Sequence, residues 1–94
     1  MTHEKFMAYE ELHRELHRLM SRVVDRLLPQ HASDISEFID ANEFGIALEW
    51  LLSTLAETGK TLSRSEFDLA MDLAKKMEMF PAICDRFPSS LVVP

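Results

Sequence analysis

His13 and His17 stand four residues apart, the spacing at which two imidazoles on one helix face can share a metal ion. The order His-Arg-Glu-Leu-His differs from the zinc-protease pattern, in which Glu directly follows the first His. On a helical wheel both rings fall at the edge of the apolar stripe beside Phe6 and Val24, so boundary placement accounts for them and no metal is expected. Cys84, the single cysteine, has no partner base at a spacing that marks a catalytic pair. Ser33, Ser53 and Ser63 read as helix caps or surface residues. There is no glycine-rich phosphate loop, no CxxC and no acid pair placed for proton transfer. The residue inventory speaks against an enzyme and implies no cofactor.

The chemistry that remains is recognition. Residues 31–58 hold six acids, Asp34, Glu37, Asp40, Glu43, Glu49 and Glu57, and no Lys or Arg, while both flanks are charge-balanced, so the whole net charge of −6 sits in this stretch. A one-signed surface speeds encounter with an oppositely charged partner and rejects wrong ones. Within it lies Trp50, outside the apolar arc of its helix, next to Ile46 and flanked by Glu49, Ser53 and Glu57. An aromatic ringed by polar groups is the usual anatomy of an interface hot spot. The plainer alternative is that Trp50 packs against the first helix.

The elements that must position these groups follow from the apolar spacing. Two glycines and four prolines in 94 residues, with Leu, Ala, Glu and Met plentiful, favour helix over sheet. Tyr9, Leu12, Leu16, Leu19, Met20, Val23 and Leu27 form one stripe of a helix over Thr2 to Leu28, ending before Pro29. Its other face, Glu11, Arg14, Glu15, Arg18, Arg22 and Arg26, reads as solvated. Ser33 is placed to cap a short second helix over 34–41 that buries Ile35, Phe38 and Ile39. Asn42 breaks it and caps a third, Glu43 to Thr58, stopped by Gly59. Phe44, Ala47, Leu48, Leu51, Leu52 and Leu55 make its inner arc, and Gly45 is expected to admit a neighbouring helix backbone. Ser63-Arg64-Ser65-Glu66 is a capping box, with Leu62 and Phe67 as staple, opening a fourth helix to about Met79. Its Phe67, Ala70, Met71, Leu73, Ala74 and Met77 face inward, and Asp68, Asp72, Lys75 and Lys76 outward. Pro81 opens a last short turn or helix to Phe87, and the tail from Ser89 to Pro94 is unassigned. The expected fold is all-α, a single domain over 1–94 built as a compact antiparallel bundle of four main helices plus a short C-terminal helix or turn.

Bulk properties narrow the setting. A chain of 94 residues buries roughly 60 to 68 % of its unfolded surface and folds without metal or disulfide. The lone cysteine and the absence of a leader-like apolar run point to the cytoplasm. No stretch approaches the ~18 apolar residues of a membrane span. The negative charge argues against direct nucleic-acid binding, which needs Lys and Arg to neutralise phosphate.

The run FIDANEFGIALEWLL at residues 38–52, followed by Gly59, the Ser63 cap and LAMDLAKKMEM at 69–79, resembles the small immunity proteins of bacterial polymorphic-toxin systems. The pattern is similar to that of the MafI-type family and related immunity proteins of contact-dependent growth inhibition. The resemblance covers roughly residues 35–80, and most matching positions are helix-packing residues, among them Phe38, Gly45, Ala47, Leu48, Leu73, Ala74 and Met77. It implies a non-catalytic cytoplasmic protein that binds a cognate toxin domain, often a nuclease, one to one. A basic RNase or DNase would be met through Glu37, Asp40, Glu43, Ile46, Glu49, Trp50 and Glu57, or through Asp68 and Asp72 on the fourth helix. The rival expectation is a helical adaptor that binds a partner helix in an apolar groove, its charge serving solubility.

Overall fold

The computed structural model describes residues 2–79 and 82–94, with side chains over 9–79, at 83 and over 85–94. Pro81 and the side chains of Phe6 and Cys84, named above, lie outside the described residues. The protein is all-α in character: four α-helices, α1 (Thr2–Val23), α2 (Pro29–Asp40), α3 (Phe44–Glu57) and α4 (Arg64–Lys76), share one apolar core. Short 3₁₀ turns occupy Val24–Arg26, Ala82–Arg86 and Ser89–Leu91. The two-residue strands β1 (Leu62–Ser63) and β2 (Val92–Val93) pair in parallel.

Leu12, Leu16, Leu19, Met20 and Val23 of α1 are buried as their spacing requires, but Tyr9 is 56 % exposed and lies edge-on to the Phe44 ring, centroids 6.0 Å apart. The helix tightens into a 3₁₀ turn at Val24, short of the expected Leu28. Leu28 is extended and Pro29 occupies the first helical position of α2, so this helix starts five residues before the expected Asp34 and Ser33 lies inside it rather than capping it. Proline's fixed φ and missing N–H suit it to this position, and here that outweighs a capping side chain.

Three helices end the same way. Asn42, Gly59 and Glu78 take left-handed φ of 62°, 66° and 58°. Behind each, two amides reach back to otherwise orphaned carbonyls: Glu43 N–H to Phe38 O at 2.8 Å, Lys60 N–H to Leu55 O at 2.9 Å and Met79 N–H to Ala74 O at 2.8 Å are the outer bonds of three Schellman motifs. Asn42 therefore ends α2 without capping α3, whose N-cap is Glu43 with no side-chain bond. The Glu78 turn stops α4 at Lys76, before the expected Met79.

The inner arc of α3 is buried as expected: Phe44, Ala47, Leu48, Leu51, Leu52 and Leu55. Gly45 faces a side chain instead of a helix backbone, and a Cβ there would lie 3.0 Å from Met79 Sδ. The Ser63–Glu66 capping box forms in full, with Ser63 Oγ accepting from Glu66 N–H at 3.2 Å and Glu66 accepting from Ser63 N–H at 2.8 Å. Arg26 departs from the solvated face assigned to it. It grips the buried Glu66 carboxylate with two bonds of 2.7 and 3.1 Å and also donates to Thr61 O at 3.1 Å.

The tail returns to the start of α4. Leu62 pairs with Val92 and Ser63 with Val93, while Ile83 and Phe87 are buried and the Phe87 ring lies 6.2 Å from that of Phe67. Among the described residues no helix is long and apolar enough to cross a membrane.

Candidate functional site

Two surfaces gather groups that could act on something outside the chain. The first lies along the outer side of α3. Residues 43, 46, 50, 53 and 57 repeat at three- and four-residue steps and so share one face, away from the buried arc. Ile46 and Trp50 are each 44 % exposed. Trp50 leans on Phe38 of α2, ring centroids 5.4 Å apart. That contact fixes the indole at its root while leaving much of it in water. A groove of about 270 Å³ between α2 and α3 is lined by His31, Glu49, Trp50, Ser53, Thr54, Glu57 and Thr58, so the indole and two of the expected acids are brought to one place.

The acids differ in their surroundings. Among the described residues no ion pair reaches Asp34, Glu37, Glu43 or Glu57, and all four are exposed. Glu49 is half-buried and lies 3.3 Å from the Arg86 guanidinium. Asp68 and Asp72 are exposed on α4, which packs chiefly on α1, and neither lines the Trp50 groove. Asp72 is 3.6 Å from Lys76, which also meets Glu11 of α1 at 2.9 Å and whose pKa is raised by these two carboxylates, Glu11 first. The arginine-rich face of α1 and its 3₁₀ extension ties up Glu66, outside the acidic segment, and leaves that segment's free carboxylates alone.

The second surface lies between α1 and α2. Asp40, expected to face a partner, is exposed and is also shared by both histidines: its Oδ1 lies 3.4 Å from His13 Nε2 and 3.2 Å from His17 Nε2. The two rings are 4.6 Å apart, and His13 stands edge-on to Phe44 at 6.2 Å. One ligand-capable atom from each of the three residues falls within 4.8 Å of the others. Beside them opens a groove of about 660 Å³ lined by Tyr9, Glu10, His13, Arg14, His17 and Asn42. The His pair is visible in the sequence; its third member, 23 residues beyond His17, depends on how α2 folds back on α1.

No family model, curated protein or solved structure matches the chain.

Proposed function

We propose that the protein is an immunity protein: a non-catalytic cytoplasmic inhibitor, on the scaffold of an antiparallel helical bundle, that docks one to one on a basic toxin domain, an RNase or DNase, and covers its active site or substrate groove. The observation that carries this reading is Trp50, 44 % exposed on α3 with Glu49 and Glu57 beside it in one groove. A nuclease must present Lys and Arg to hold phosphate, and an acidic face can occupy that same surface. Glu43 and Glu57, which no ion pair among the described residues reaches, supply attraction, and Trp50 with Ile46 supplies the apolar area that sets the dissociation rate. The resemblance of residues 35–80 to MafI-type immunity proteins supports the same reading.

Two experiments test it. Co-expression with a neighbouring toxic open reading frame restores growth for an immunity protein and does nothing for a helical adaptor. Against that toxin, reversing Glu43, Glu49 and Glu57 to Lys slows association about tenfold or more at low salt and flattens its salt dependence. Trp50→Ala weakens binding by about 2 kcal/mol, roughly thirtyfold, mainly through faster dissociation. A triple variant that associates at the wild-type rate at low salt removes the acidic-docking model.

A further inference from the structure

We infer that His13, His17 and Asp40 form a binding site for a divalent transition ion of the zinc type, held by three protein ligands between α1 and α2 with its remaining position open to the adjoining groove. The inference is independent of the toxin-binding reading, which uses the outer side of α3.

The argument is geometric. In a tetrahedral site with Zn–N and Zn–O bonds near 2.0–2.2 Å, neighbouring ligand atoms are separated by about 3.4 Å. His13 Nε2 and His17 Nε2 stand 3.4 and 3.2 Å from Asp40 Oδ1, so two of the three ligand edges already have that length. The third edge joins two side chains one helical turn apart, and one ligand-capable atom from each of the three residues lies within 4.8 Å of the others. Closing it needs only small rotations of half-exposed rings, since no backbone movement separates positions four apart on one helix.

Donor chemistry narrows the ion. Two imidazoles and one carboxylate suit zinc and its transition-metal neighbours, whereas calcium and magnesium take shells made of oxygen. Three protein ligands leave a coordination position free, and the groove walled by Tyr9, Glu10, Arg14 and Asn42 has room for a water or a small anion there. An ion seated in this way would also join α1 to the last turn of α2, where Asp40 is the final helical residue.

The test uses the full chain, freed of any affinity tag and stripped with chelator, titrated with Zn²⁺ by calorimetry. The expected result is one ion per chain and a raised melting temperature. Asp40→Asn lowers the affinity by more than about 100-fold, as does His17→Asn, while His31→Asn leaves it unchanged. The Asp40 side chain is 67 % exposed, so its replacement leaves the helix content by circular dichroism as in the wild type. Substituted Co²⁺ should show the strong visible absorption of a four-coordinate ion. Failure of Zn²⁺ to bind, binding that survives Asp40→Asn, or one ion shared by two chains would each overturn the site.

Discussion

Glu66 is the residue on which the join between the end of α1 and the start of α4 turns. Its carboxylate accepts two bonds from Arg26 and one from Ser63 N–H, and it is buried. The Arg26 hydrogen bonds lower its pKa, burial opposes them, and the Ser63 amide assists, leaving the value below the ordinary 4.5. A carboxyl group whose folded-state pKa is depressed binds protons more readily in the unfolded chain, so its contribution is complete above 4.5 and is lost as pH falls through the lower folded value. Glu66→Gln should therefore unfold with a weaker pH dependence below 4.5 than the wild type, the two curves converging in acid. Glu66→Ala, which leaves Arg26 without its carboxylate, should cost on the order of 2–3 kcal/mol at neutral pH, read from urea unfolding. The role of Glu66 as a capping-box residue is legible in the sequence; its bond to Arg26, 40 residues away, is not.

At the scale of elements, helix ends separate what sequence can disclose from what it cannot. Gly59 is an evident stop because glycine enters the left-handed region without a Cβ penalty. Glu78 does the same with a side chain that favours helix, so nothing in its type marks the end of α4. Strain at that position is the consequence: Glu78→Gly should stabilise the protein by about 1 kcal/mol, measured as a higher denaturation midpoint with an unchanged slope. Gly59→Ala should cost a similar amount. The same logic explains α2. Ser33 and Pro29 both signal a helix start, and the proline lies earlier in the chain, so the helix is already under way when Ser33 is reached. Where the apolar period is uninterrupted, as along α3 from Phe44 to Leu55, the buried face follows from spacing alone. Trp50 lies outside that arc for the same reason, so its exposed place on α3 is legible, while the meeting of Asp40 with His13 and His17, made by packing between helices, is not.

Taken as a whole, the molecule is a 40 × 26 × 19 Å body with a radius of gyration of 12.7 Å, close to the ~12 Å expected of a compact chain this long. Its charge pattern survives folding in part. Glu37, Glu43 and Glu57 keep solvent-facing carboxylates, Glu49 is answered by Arg86, and Asp40 is drawn to the histidines. What no local pattern foretells is the parallel pairing of Leu62–Ser63 with Val92–Val93, since two-residue strands carry no period. That latch closes a thirty-residue circuit through α4 and the two last 3₁₀ turns, so its far end guards the first turn of the helix. Amide hydrogens at Glu66 and Phe67 should then exchange with deuterium in step with those of Val92 and Val93, as one cooperative opening unit. The centre of α3, sealed around Leu51 and Leu52, should exchange much later.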